Sequence, residues 1–219
     1  MEPARVLKGA HDSFVFHGIE ALKPNHPSVA PRHRANVDSG STGSVLWHAS
    51  YLLVDYLATL RNISPANQVL ELGCGWGLAS TYVSKRFGAR VTATDCDANA
   101  LDLQNILSAT NRTRVHTRQL SFSDLAEIDL SGFNLLIGSE ICYAPSTLPQ
   151  LENLIHRFAT QGGASLVLAD RGNDLFFRLG RALSRRYRAR LTPVSLSFPV
   201  PARGYVLHVE FECGDAQSG

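Results

Sequence analysis

Residues 69–80 read "VLELGCGWGLAS". An apolar run carrying an acid at Glu71 gives way to glycines at Gly73, Gly75 and Gly77, and an amphipathic stretch follows. Glycine takes backbone conformations and allows approaches that a Cβ forbids, so a cluster between a strand and a helix marks a close approach to something. The segments around it decide the fold.

Downstream, short β-rich runs alternate with longer amphipathic ones. The pattern predicts strands over 68–74, 90–95, 114–120, 133–141 and 164–170, separated by helices over 78–87, 97–111 and 146–161. In the second helix Ala100, Leu103, Ile106 and Leu107 recur at helical spacing, with Asp97 placed to cap it. A last helix over 174–187 precedes strands over 190–198 and 204–212, which have only a short connection between them and are therefore antiparallel. Strands alternating with helices require a mostly parallel sheet with right-handed crossovers. The expectation is an α/β fold: a three-layer, Rossmann-like seven-stranded sheet, mostly parallel, with an antiparallel C-terminal hairpin.

Upstream, residues 23–44 are rich in Pro, Ser and Gly and read as loop, while 45–60 read as an amphipathic helix. Residues 1–66 are expected to form a cap on the same domain, and 67–219 its ligand-binding core. The 219 residues, 44% hydrophobic and 18% charged, suffice for one full core. A net charge of +2 gives no argument for nucleic acid or membrane as partner. The N-terminus lacks the pattern of a signal peptide, and no apolar run is long enough to span a membrane, so a cytoplasmic monomer is expected. Cysteines at 74, 96, 142 and 213 never form C-x-x-C, and the eight histidines include no H-x-H or H-E-x-x-H; free thiols and no metal are expected.

In an open parallel sheet the ligand lies beyond the C-terminal ends of the central strands. Two ligands compete for the glycine loop: a dinucleotide and S-adenosylmethionine. The dinucleotide pattern G-x-G-x-x-G fails in both registers, at Leu78 and at Ser80, and no P-loop lysine is present. The observed pattern is E-x-G-x-G-x-G. A ligand bringing an ammonium and a sulfonium favours a carboxylate such as Glu71 nearby. Asp95, at the end of the second core strand, is placed to accept hydrogen bonds from ribose hydroxyls, a device nicotinamide cofactors share. The failed registers favour the methyl donor.

Three stretches resemble one family. "TGSVLWHASYLLVDYL" (42–57), "VLELGCGWGLASTYVSKRFGARVTATDCD" (69–97) and "FNLLIGSEICYAPSTLPQL" (133–151) are similar to the segments of methyltransferase family 16, small seven-β-strand S-adenosylmethionine-dependent enzymes, many of which methylate protein lysines. The resemblance covers residues 40–209. It implies cofactor contacts from Trp47, Glu71, Gly73, Gly75, Gly77, Asp95, Cys96, Ser121, Phe122 and Ser139. The acid-x-x-Tyr motif becomes Glu140 and Tyr143 as catalytic pair. Arg171, just past the fifth core strand and so at the ligand end of the sheet, is the candidate for substrate contact. The family often has Asp where this chain has Glu140, and Trp where it has Phe122. The implied acceptor is a protein lysine. A small-molecule amine or heterocycle is the rival acceptor, and a silent cofactor-binding module is the rival class. The six arginines between 178 and 190 read either as a solvated helix face or as a docking surface for an acidic protein.

Overall fold

A computed structural model of the chain describes residues 12–38 and 48–212. Trp47, the Thr42-Gly43 pair before it and Cys213 lie outside the described residues.

The core is a seven-stranded sheet: β3 (Gln68–Leu72), β4 (Arg90–Asp95), β5 (His116–Gln119), β6 (Leu135–Ser139), β7 (Ser165–Asp170), β8 (Arg188–Leu196) and β9 (Ala202–Glu210), in the spatial order β5-β4-β3-β6-β7-β9-β8. The first five in that order run parallel; β9 is antiparallel to β7, and β8 to β9. Chain order reverses between β3 and β6, so the two crossovers leave in opposite directions and a crevice opens above those strand ends.

The central strands are nearly continuous apolar runs because both faces are covered. Val69, Ile137, Val167, Ala169 and Val206 face one layer, with α2 (His48–Leu57), α3 (Leu78–Phe87) and α4 (Ala98–Thr110). Leu70, Leu72, Leu136, Leu166, Leu168 and Leu207 face the other, with α6 (Thr147–Thr160) and α7 (Asp174–Ser184). Between β5 and β6 stands a single turn, α5 (Phe122–Leu125). Caps set the helix ends. The Asp97 side chain accepts from the Asn99 N–H at the start of α4, Asn173 accepts from the Phe176 N–H at the start of α7, and Gly88, at φ 67°, closes α3.

The N-terminal part holds one element that was not foreseen and one that overturns an expectation. Residues 13–22 form a hairpin, β1 (Ser13–Phe16) and β2 (Ile19–Leu22), turned by His17 and Gly18, both at positive φ. Within the stretch read as loop stands a helix, α1 (Ala30–Asp38). Pro31 sits in its first turn, where a missing N–H costs nothing, and Val29 is buried just ahead of it. The hairpin is held to the core by polar contacts. Asn111 accepts from the Glu20 N–H and donates to its carbonyl, both at 2.9 Å, and Lys85 donates to the Gly18 carbonyl. Among the described residues no helix is long and apolar enough to cross a membrane, and no group of three or more His, Cys, Asp or Glu is placed to hold a metal ion.

Candidate active site

The loop after β3 carries Gly73, Gly75 and Gly77 at φ 61°, 51° and 76°, the left-handed region that a side chain disfavours. Two of the three glycines are explained by protein neighbours. A Cβ on Gly77 would fall 1.4 Å from Gln104 Oε1, and one on Gly73 would lie 3.1 Å from Ile141 Cγ2. Gln104, on α4, is fully buried and donates from Nε2 to the hydroxyls of Thr81 and Ser108. Gly77 is therefore the point where α4 presses on the loop. Ile141 directly follows Glu140, so the Gly73 contact places the glycine loop side by side with the acid-x-x-Tyr motif.

Two carboxylates hold this loop from opposite sides. Glu71 is buried in β3 and accepts from both the backbone N–H and the hydroxyl of Ser80, tying the strand to α3 beneath the loop. Burial pushes its pKa up to about 7; the two Ser80 hydrogen bonds oppose the rise and the nearby Asp95 charge adds to it. Asp95 accepts from the Gly75 N–H at 2.9 Å on Oδ2 and from the Asp97 N–H at 3.0 Å on Oδ1. Burial raises its pKa, and those N–H donors counter part of the effect. A carboxylate offers about four acceptor positions, so the half-buried Asp95 keeps capacity for further donors. Cys96, next to it, is exposed, and burial moves its thiol above the ordinary range, away from thiolate reactivity.

A second cluster forms at the ends of β6 and β7. Ser139, half-buried, ends β6. Glu140 has φ 55°, an uncommon conformation for a residue other than glycine, and donates its N–H to the Ala169 carbonyl at 3.0 Å. Its carboxylate, only 14% exposed, accepts from Arg171 Nε at 2.9 Å, while the Arg171 side chain is 54% exposed. Burial and the Asp170 charge raise the Glu140 pKa; Arg171 pulls it back. Tyr143 is 68% exposed, and its phenol is raised by burial and then by the charges of Cys96 and Asp95.

Asp170 was not singled out from sequence. It is 1% exposed and accepts from the Gly172 and Asn173 N–H groups and from the Asn173 side-chain amide, which shapes the turn that presents Arg171. The signal was available: "DRGN" after an apolar strand is an Asx-turn signature.

Two of the remaining expected residues stand at the start of α5. The Ser121 hydroxyl and N–H donate to the Asp124 carboxylate in a capping box that starts α5, and the partly buried Phe122 packs on the α6–α7 core. Trp47 lies outside the described residues. The structure thus joins Gly75 to Asp95 and Glu140 to Arg171, and brings the two groups together through Gly73 and Ile141.

The model of the lysine methyltransferase family matches residues 33–174. The chain belongs to this family, and with it to the S-adenosylmethionine-dependent methyltransferases. Its curated relatives are diverse. An rRNA adenine N-6-methyltransferase of Bacillus licheniformis is 26% identical over 68% of this chain and 50% of its own length. The human protein-lysine N-methyltransferase EEF2KMT is 26% identical over 63% of this chain and 47% of its own. The chain thus spans about half the length of the curated relatives it matches. Among solved structures, a precorrin-6y C5,15-methyltransferase of Geobacter metallireducens GS-15 shares the fold at a TM-score of 0.57 and 12% identity, over 74% of this chain and 87% of that one.

The cofactor of this family is S-adenosylmethionine, and the residues present fit it. The glycine loop after β3 is tied by the Gly75 N–H to Asp95, whose carboxylate keeps acceptor capacity at the strand end. Two buried polar atoms, Trp76 Nε1 within this loop and Gln104 Oε1 against it, have no hydrogen-bond partner among the described residues.

Proposed function

We propose that this chain transfers a methyl group from S-adenosylmethionine to the ε-amino group of a lysine in a protein substrate. The observation that carries the reading is the Glu140–Arg171 pair. A shielded carboxylate beside the glycine loop is met by a long, half-exposed cationic side chain that reaches it from the solvent side, and a substrate lysine presents the same charge on the same kind of stem. The exposure of Tyr143 supports an acceptor that arrives from outside the molecule.

When bound, S-adenosylmethionine supplies an electrophilic methyl group on a sulfonium. The loop of residues 73–77 and Asp95 hold the donor on one side, and Glu140 and Tyr143 receive the amine on the other. Glu140 accepts a hydrogen bond from the acceptor nitrogen and aims its lone pair. Such alignment is worth ~7–11 kcal/mol of barrier in well-oriented systems. A lysine of ordinary pKa about 10.4 arrives charged, and a carboxylate alone would keep it so. The raised Glu140 pKa brings the carboxylate closer to taking the proton that the amine must lose. Tyr143 sets the face of its ring or its hydroxyl toward the amine.

Glu140→Gln keeps the shape and removes the charge. Isothermal titration with S-adenosylhomocysteine is expected to give an unchanged Kd, while transfer of radioactive methyl groups into proteins of a cell extract falls by about 10²-fold or more. Full transfer by the variant would remove Glu140 from this role.

A further inference from the structure

We infer that the edge of the molecule formed by α7 and β8 is a docking surface for an acidic segment of the protein substrate, with one apolar side chain of that segment seated in the groove between helix and strand. The inference rests on the protein-lysine reading above and names the character of that substrate.

The net charge of +2 conceals a segregation. Residues 175–209 contain seven arginines, at 178, 181, 185, 186, 188, 190 and 203, and no Asp or Glu. Of 21 Lys and Arg these seven lie in that stretch, against none of 19 Asp and Glu; the remainder of the chain carries 14 basic and 19 acidic residues. All seven arginines are exposed. Arg188 meets Glu210 at 3.3 Å, a pair exposed on both sides and therefore weak. A basic face on an otherwise acidic chain selects an anionic partner and speeds its encounter.

The face also has an apolar floor. Helix α7 buries Phe176, Leu179 and Leu183 against the sheet. Arg178, Arg181 and Arg185 recur at helical spacing along its solvent side, and Arg181 lines a groove of about 200 Å³ together with Phe177, Gly180, Ala189, Leu191 and Leu207. Leu191, 44% exposed, is with Tyr143 one of the two exposed large apolar side chains among the described residues. The groove suits a single aliphatic side chain, and solvating arginines would not need it.

The surrounding elements narrow the mode of binding. β8 ends the sheet, and Pro193 within it lacks an N–H, so the edge is a poor template for an added strand. A partner is directed into the groove instead. Nucleic acid would find phosphate contacts here, yet the one aromatic ring lining the groove, Phe177, is already engaged by Phe176 and Tyr205, and the other lining side chains have no ring on which a base would stack. Helix α7 begins three residues past Arg171, the partner of Glu140, and is about 16 Å long. A chain lying along it covers that distance in about five extended residues and leads toward Glu140.

Fluorescence anisotropy with three labelled probes tests this: a Glu-rich peptide with one central leucine, the same peptide with serine in its place, and an oligouridylate of matching charge. The leucine peptide is expected to bind roughly tenfold more tightly than the serine peptide, as burial of one leucine allows, and more tightly than the oligouridylate. The triple variant R178E/R181E/R185E is expected to lose peptide binding by about 100-fold or more while its thermal unfolding and its affinity for S-adenosylhomocysteine stay unchanged. Leu191→Asp is expected to abolish the difference between the two peptides. Equal binding of the two peptides by the native chain, an oligouridylate that binds as tightly, or unchanged binding by the triple variant would each overturn the inference. Label transfer into protein at an unchanged KM by the triple variant would also overturn it, with the lysine reading left standing. Peptide binding with no label in protein would sink the lysine reading and, with it, the substrate role of this surface.

Discussion

Glu71 and Arg171 show how single groups are set by what surrounds them. The Glu71 pKa is raised from 4.5 to about 7 by burial, so the folded chain binds a proton that the unfolded chain releases across that interval. A carboxyl group raised in this way favours the folded state fully below pH 4.5, and that contribution is lost as pH rises through about 7. Glu71→Gln, which cannot titrate, is expected to gain stability relative to the native chain between pH 4.5 and 8, by about 3 kcal/mol at most, at 1.36 kcal/mol per pKa unit. Denaturant midpoints of both proteins at the two pH values check this; a difference that does not change with pH would contradict it. Arg171 acts on Glu140 with the opposite sign. Its charge and hydrogen bond lower a pKa that burial has raised, so Arg171→Ala is expected to move the acid limb of the kcat/KM profile to higher pH. If the guanidinium competes with the incoming lysine, KM also falls, by about fivefold or more, since ~1 kcal/mol is the ceiling for a fully exposed pair and the Glu140 side of this one is shielded. An unchanged profile and KM would show that the two side chains meet without consequence for the acceptor.

At the scale of elements, the contact between the glycine loop and α4 is the least expected. Gly77→Ala is expected to cost about 1–2 kcal/mol for the left-handed backbone alone, and more for the collision with Gln104. A Gln104→Ala change in the same chain should recover the collision part only, and a double-mutant cycle measured by chemical unfolding separates the two. Additive effects would mean that Gln104 does not press on Gly77. The contact also shows where the sequence stops being readable. The strand–glycine–helix pattern announces a close approach, and Asp97, Gly88 and Asn173 announce helix ends through local hydrogen bonds. That the neighbour of Gly77 is Gln104, 27 residues on, depends on how α4 packs, and no local spacing encodes that. The N-terminal hairpin was hidden for another reason. Its strands have four residues each, its turn is His-Gly instead of the more telling Asn-Gly, and its anchor, Asn111, comes from the far end of α4. The helix α1 was masked by the Pro, Ser and Gly of the stretch around it, which favour loops.

For the whole molecule, the order β5-β4-β3-β6-β7-β9-β8 explains why the chemistry gathers where it does. The reversal between β3 and β6 brings the glycine loop, Asp95, Glu140 and the β7 turn to one end of the sheet, although they span about 100 residues of sequence. The central parallel strands were legible because strands buried on both faces leave long apolar runs, the exposed β5 only by its place in the strand–helix alternation, and Glu140 through the resemblance of its acid-x-x-Tyr motif to the family's. The Glu140–Arg171 pair was half legible. Both residues were singled out, one as an acid for the amine and one for the substrate, but their contact follows from the positive φ of Glu140 and the Asp170 turn. The family assignment leaves the acceptor as the central question, since the curated relatives act by name on rRNA adenine and on protein lysine. The most direct measurement is to supply radioactive S-adenosylmethionine and the protein to a cell extract, hydrolyse the protein and RNA fractions separately, and identify the labelled product in each. The account predicts label in protein, recovered as methyllysine. Label recovered as methylated adenine from RNA, or confined to small molecules, would contradict it.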